Sequence, residues 1–246
     1  MTFALNLEKS VKSLTLSLEK VGIVSPPNVD VGFCLDVSGS FEDEHRDGST
    51  NTLLTRLIPW GLVFDPDKKI EVFTFSDGED NVCEVGSVDA NNHVDFVQRK
   101  IVGKVRGWNG GTDYSYALER MLKHFGWINT VKKPGFFGKM FGKTDEVIFG
   151  EKKKSIVIFT TDGENLDQTR TTKILRESKE RGDKVYFLFL GISNQGSSFS
   201  FLKSLDRQFE NTGFINIKNL NDFNALTDEA INEMILSEEL LAWVKS

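Results

Sequence analysis

VDVGFCLDVSGS, residues 29–40, carries the reading that decides the fold. Its first part is apolar at nearly consecutive positions instead of alternating ones, the pattern of a strand covered on both faces, and it ends abruptly in Asp, Ser and Gly. Three further runs have the same character: IEVFTFS (70–76), SIVIFTT (155–161) and KVYFLFLGI (184–192). Between them the apolar spacing is helical, over Thr50–Phe64 with Leu53, Leu54, Leu57 and Ile58, over Tyr114–Phe125 with Leu118, Met121 and Leu122, and over Asp167–Arg181. Strand and helix alternate, which predicts an α/β, doubly wound, mostly parallel central sheet flanked by helices. Such a sheet binds ligands at the C-terminal ends of its strands. The last part adds a helix near Phe199–Phe209, a short strand Phe214–Ile217 and a closing helix from Phe223 to Val244.

Two stretches fall outside the alternation. Residues 1–28 place Phe3, Leu5 and Leu7, then Leu14, Leu16 and Leu18, at period two, and SPPN (25–28) breaks the chain before the first core strand. They read as a β hairpin appended to a main domain of residues 29–246. The second is an insertion at 127–154 that holds PGFFGKMFGK. Insertions of this length in a compact domain are functional or disordered.

Composition narrows the class. The chain has 246 residues, 39% hydrophobic and 27% charged with 20 Phe, enough apolar mass for one large folded domain. Thirty basic against 36 acidic residues give a net charge of −6, so nucleic acid is not an expected partner. The N-terminus lacks the uninterrupted apolar core of a signal peptide, and no segment approaches the ~18–20 apolar residues that cross a bilayer. Cys34 and Cys83 form no C-x-x-C pair and read as free thiols of a cytoplasmic protein.

The chemistry gathers at three strand or helix ends. DVSGS places Asp36, Ser38 and Ser40 in a strand-to-loop turn, and the intervening glycine lets both hydroxyls point to one spot. Standing alone, this turn is equally a polar helix start. GWNGGTDYS (107–115) sets Thr112 after a glycine pair and before a helix, and TTDGEN (160–165) sets Asp162 at the end of another strand. Two carboxylates and three hydroxyls, with no His or Cys, suit Mg²⁺, Mn²⁺ or Ca²⁺ and disfavour zinc or copper.

D-x-S-x-S after the first strand, G-T before a helix and T-D-G after a later strand resemble the metal-ion-dependent adhesion site of von Willebrand factor A (VWA) domains, with all five positions filled. The resemblance covers about residues 29–235. It implies that Ser38, Ser40 and Thr112 coordinate the ion directly or nearly so, and that Asp36 and Asp162 act largely through ordered waters. A narrower resemblance, carried by LTLSLEKVG, LLTRLIPWGLVFDPDKKIEVFTFSD, NGGTDY and IVIFTTDGEN, is to the VWA proteins of bacterial tellurium-resistance and stress operons, where the Phe/Gly/Lys insertion also recurs. FEDEHRDG (41–48) departs from that family, which commonly has a methionine after the second serine and a less acidic loop. Its Glu42, Asp43 and Asp47 are either outer-shell groups for a metal or solvated charge.

Three functions compete. A cation with an open coordination position and mostly neutral ligands would take an Asp or Glu from a partner protein. A hydrolase would use the same ion to activate water, but none of His45, His93 and His124 sits in catalytic spacing, and there is no P-loop and no G-x-S-x-G elbow. A membrane-associated scaffold would act through the insertion, where Lys132, Lys133, Lys139, Lys143 and Lys152–Lys154 surround Phe136, Phe137, Met140 and Phe141. The bland counterpart of that last reading is a surface loop whose aromatics pack back on the domain.

Overall fold

In the computed structural model, which describes residues 6–132, 146–193 and 196–246, strand β1 (Asp30–Asp36) lies between two parallel neighbours and is buried along nearly its whole length. On one side it pairs with β2 (Ile70–Phe75), which in turn pairs antiparallel with β3 (Cys83–Val88) at the sheet edge. A small separate hairpin, β4 (Thr130–Lys132) with β5 (Glu146–Ile148), precedes the other half. That half contains β6 (Ser155–Thr161), β7 (Val185–Ile192) and β8 (Thr212–Ile217), giving a sheet order β3-β2-β1-β6-β7-β8.

Both faces of the sheet are packed, which explains the unbroken apolar runs. On one face Phe33, Leu35, Ile156, Ile158, Tyr186, Leu188 and Leu190 join one core; on the other Cys34, Phe73, Phe75, Val157, Phe159, Phe187 and Phe189 join a second. The second core is aromatic: Phe159 lies 4.5 Å from Phe75, 5.1 Å from Tyr114 and 5.4 Å from Phe189 between ring centroids. These offset and edge-on contacts use a good share of the chain's phenylalanines.

The helices divide between the faces. In chain order they are α1 (Leu7–Lys20), α2 (Glu42–Arg46), α3 (Ser49–Phe64), α4 (Phe96–Lys100), α5 (Ser115–His124), α6 (Gln168–Arg181), α7 (Ser200–Gln208), α8 (Leu220–Asn224), α9 (Asp228–Ile235) and α10 (Glu238–Lys245). Residues of α1, α3 and α8–α10 fill the first core, and α5, α6 and α7 cover the second. Gly61 lets α3 approach the β2 entry closely, since a Cβ there would lie 2.7 Å from the Lys69 carbonyl oxygen.

Over Leu7–Lys20 the expected N-terminal β hairpin is a helix, and Phe3 and Leu5 of its first strand lie outside the described residues. Leu14 and Leu18 are buried with Ser10 and Ser17, the i, i+4, i+7, i+8 stripe of a helix, while Leu16 is 45% exposed. The Asn6 side chain accepts from the Lys9 N–H, and Gly22, at φ 82°, ends the helix with its N–H on the Glu19 carbonyl and that of Ile23 on Leu18. This helix packs on α3 and α9, where Ser10 donates to Asp228, itself paired with Arg56 at 2.8 Å.

Other expectations also change. The single closing helix over 223–244 is three short helices, because Asn219, Thr227 and Ser237 each cap a new start. Edge strand β3 and the short helices α2 and α4 carry no strong apolar period and went unpredicted. The insertion at 127–154 is pinned at its base, the Trp127 ring N–H donating to the Lys153 carbonyl and the Lys153 N–H to that of Phe125. Its residues Lys133, Phe136, Phe137, Lys139, Met140, Phe141 and Lys143 lie outside the described residues.

Chain direction makes β1 and β6 a topological switch point: the connection from β1 leads towards β2, and β6 begins the opposite half. The crevice therefore opens at the C-terminal ends of these two strands. The helical reading of the N-terminus separates two leucines that alternation treats alike. Leu14→Ala is expected to cost about 2–5 kcal/mol of stability and Leu16→Ala less than about 0.5 kcal/mol, measured by chemical denaturation; equal losses would restore the hairpin reading.

Candidate metal centre

Asp36 is the last residue of β1 and has no solvent exposure. The Ser38 backbone N–H donates to its Oδ1 at 2.8 Å, and the Thr161 hydroxyl donates to its Oδ2 at 2.6 Å. The first bond is an Asx turn, which bends the chain sharply beyond the strand. The Ser38 and Ser40 hydroxyls then lie 3.3 Å apart and reach Asp162 Oδ1 at 3.5 and 3.0 Å. Asp162 follows directly on β6, so two neighbouring strand ends supply the two carboxylates.

Thr112 comes from a third segment. The Asn109 N–H donates to the Val37 carbonyl at 2.9 Å and the Gly39 N–H to that of Gly110 at 3.1 Å, tying this loop to the serine turn. Gly110 is required by close approach, since a Cβ there would lie 2.4 Å from Asp77 Oδ1 and 2.8 Å from Ser76 Oγ. On the other side the Thr112 carbonyl accepts from the Leu166 N–H at 3.1 Å, and the Asp167 carboxylate accepts from the N–H groups of Tyr114 and Ser115 at 3.0 and 2.8 Å. Asp36, Ser38, Ser40 and Asp162 are thus joined through side-chain bonds, and Thr112 is set against them by its backbone, at 8% exposure.

Burial pushes the Asp36 carboxyl up to about 7, with the Asp162 charge adding to it and the Thr161 and Ser38 bonds opposing. Asp162 is pushed up to about 6, first by burial and then by Glu44, against the Ser40 bond. No ion pair with Lys, Arg or His reaches either carboxylate among the described residues. Nor is there, among them, a group of three or more His, Cys, Asp and Glu able to hold a metal. The donor set at this point is hydroxyl and carboxylate oxygen alone, with two buried carboxyl groups that no cationic side chain reaches among the described residues. That set fits a hard divalent ion.

The acidic loop after the serines is placed by its own bonds. Glu42 pairs with Arg46 at 2.5 Å and accepts from the Asn109 amide at 2.6 Å; Asp47 caps the Ser49 N–H at 2.8 Å; Asp43 is exposed. Four residues at the site escaped the sequence reading. Thr161 holds Asp36, Glu44 acts on Asp162, Leu166 stands 85% exposed on the rim, and His45 is buried beside Asp36. Only the doubled threonine of TTDGEN and the lone histidine just after DVSGS offered a signal.

Among the described residues no helix is long and apolar enough to cross a membrane. Comparison with known proteins places the chain among relatives of sequence and of fold. An uncharacterized protein, YcbR, of Bacillus subtilis (strain 168) is 22% identical over 232 residues, 92% of this chain and 82% of that protein. Two crystal structures of proximal thread matrix protein 1 from the mussel byssus superpose with TM-scores of 0.52 and 0.51, each at 15% identity, over 86% and 85% of this chain. The chain spans about half of that mussel protein, 48% in both cases, and the likeness is one of fold. Residues 28–246 match the family model vWA-TerF-like, described as the vWA found in the TerF C terminus. That match takes in the whole sheet, the serine turn and both loops around it, and the chain belongs to the TerF-like family of von Willebrand factor A domains.

Proposed function

We propose that this chain is a divalent-cation-dependent protein-interaction module, with Asp36, Ser38, Ser40, Thr112 and Asp162 holding Mg²⁺, or Mn²⁺ or Ca²⁺ in its place, and a partner's Asp or Glu completing the coordination. One observation carries the reading: two buried carboxylates converge with two serine hydroxyls at the β1/β6 switch point, both with raised pKa values and neither paired with a cationic side chain.

When bound, the cation supplies positive charge that three neutral hydroxyls leave largely uncompensated, so an acidic group is favoured over a neutral one as the incoming ligand. The chain's own residues do the rest. Thr161 and the Ser38 N–H fix the Asp36 carboxylate, and Ser40 fixes Asp162. Leu166, whose backbone is bonded to Thr112, offers an apolar contact beside the site. The partner surface suited to it presents a carboxylate next to an apolar group.

A hydrolase needs a base free to take a proton. Both ring nitrogens of His45, the histidine at the site, are already engaged, and Ser38 and Ser40 are bonded to Asp162. The module reading is non-enzymatic for that reason. A cytoplasmic location agrees with two free cysteines, one of them buried in β1. The tellurium-resistance and stress setting rests on the family's name.

Calorimetric titration with Mg²⁺ and Mn²⁺ tests the ligand set: Asp162→Ala is expected to fold and to lose measurable affinity, and wild-type affinity in that variant would remove Asp162 from the site. Capture of partners on immobilised protein tests the module. Capture is expected to fail in EDTA and in Thr112→Ala, to return when Mg²⁺ is restored to wild type, and to weaken in Leu166→Ala with metal affinity unchanged. Truncating the partner's acidic group is expected to cost about 2–5 kcal/mol. Capture indifferent to EDTA would confine the cation to a structural role.

A further inference from the structure

His45 has no solvent exposure, and its ring meets the end of β1, the residue after Ser40 and Trp108 of the segment that carries Thr112. Nε2 lies 2.8 Å from the Asp36 carbonyl oxygen, and Nδ1 lies 2.9 Å from the Thr50 hydroxyl. A carbonyl oxygen only accepts, so Nε2 carries the proton and Nδ1 accepts from Thr50.

The Asp36 carbonyl lies one residue beyond Leu35–Thr160, the last paired position of β1 with β6. A buried carbonyl at the end of a ladder needs a donor, and His45 is that donor. The same ring packs at 4.7 Å against Phe41, the residue after Ser40, and at 5.5 Å against Trp108, the residue before Asn109. Asn109 in turn donates to the Val37 carbonyl and, through its amide, to Glu42. Arg46 lies over the Trp108 ring at 5.9 Å and pairs with Glu42, closing the cluster on its outer side. The Gln98 amide holds the His45 carbonyl at 3.0 Å, so backbone and ring are both fixed.

We propose that His45 is the positioning residue of the cation site: its Nε2–H bond to the Asp36 carbonyl and its packing between Phe41 and Trp108 hold the serine turn and the Thr112 loop in one arrangement before any ion arrives. The proposal rests on the reading of Asp36, Ser38, Ser40, Thr112 and Asp162 as a cation site. His45 itself donates nothing to the ion. Partners that orient ligating groups from behind commonly change metal affinity by about 10–100-fold when removed.

The test compares His45→Leu, His45→Gln and Thr50→Val with wild type, using Mn²⁺ alone as the probe in calorimetric titration and thermal unfolding in EDTA as the measure of folding. His45→Leu keeps an apolar body and loses the donor; it is expected to bind Mn²⁺ about 10–100-fold more weakly. The His45→Gln amide reaches the same carbonyl and is expected to recover most of that loss, whatever either change does to the melting temperature. Wild-type Mn²⁺ affinity in His45→Leu overturns the proposal. So does an equal loss in His45→Leu and His45→Gln, which would make the effect one of packing. Should His45→Leu not fold, Thr50→Val decides, since it removes the hydroxyl that fixes the tautomer and leaves the ring in place. A severalfold loss there supports the proposal and an unchanged affinity overturns it. Wild type that fails to bind Mn²⁺ at all is a different result: it removes the cation-site reading on which the role depends.

Discussion

Two buried carboxyl groups that no cationic side chain reaches among the described residues, Asp36 and Asp162, are the constraint around which the upper edge of this sheet is built. Parallel pairing of β1 with β6 brings their ends to the same height, so the acids that terminate them converge. Burial raises both pKa values, helped by the Asp162 charge at Asp36 and by Glu44 at Asp162, and the local bonds supply hydrogen atoms to their oxygens: Thr161 and the Ser38 backbone to Asp36, Ser38 and Ser40 to Asp162. Neutral donors reduce the cost of such charge and do not cancel it. On the proposed reading, a divalent cation would supply the positive charge that these donors do not.

The three loops that meet there are bound to one another. Asn109 and Gly110 hold the serine turn, Leu166 and Asp167 hold the Thr112 segment, and Ser197 donates to the Asp162 carbonyl at 2.7 Å. Bonds of this kind fix ligand positions without engaging the side-chain oxygens that would face the ion. The glycines follow from the same economy of space: at Gly110 a side chain would occupy the volume taken by Ser76 and Asp77. Preorganisation of this sort lowers the entropy lost when an ion or partner is bound.

Much of this was legible in the sequence because the physics was local or strongly periodic. Strands β1, β2, β6 and β7 are apolar at consecutive positions since both sheet faces are buried, and their boundaries fall within a residue or two of the expected ones. Acid, serine and threonine positions at strand and helix ends could be read as oxygen donors from spacing alone. The misreadings lie where two periods compete. Leu14, Leu16 and Leu18 fit a strand, and only the buried serines Ser10 and Ser17 with the terminating Gly22 show that the helix wins. The C-terminal apolar pattern hid its caps at Thr227 and Ser237. Strand β3 was unreadable because an edge strand with one polar face, irregularly paired opposite Val72 and Phe73, lacks both alternation and a continuous run. His45 belongs to a different class, since no pattern in a single sequence says that a histidine will find a carbonyl nine positions away in the chain.

The balance of neutral and charged ligands also bears on the proposed reading, in which the site grips a partner's acidic group. Activation of water requires a nearby base to receive a proton, and the groups surrounding Asp36 are committed to holding it: the Thr161 hydroxyl donates to its carboxylate, the His45 ring to its carbonyl, and the Tyr114 hydroxyl donates to the neighbouring Gly163 carbonyl. Burial raises the Tyr114 pKa well above its ordinary value, so this hydroxyl keeps its proton. On the proposed reading these surroundings form a cradle for the cation, and selectivity would pass to Leu166 and the Arg46–Trp108–Glu42 cluster beside it. The cation would favour an acidic group through charge, and these neighbours would choose which acidic group by the shape and polarity of what surrounds it.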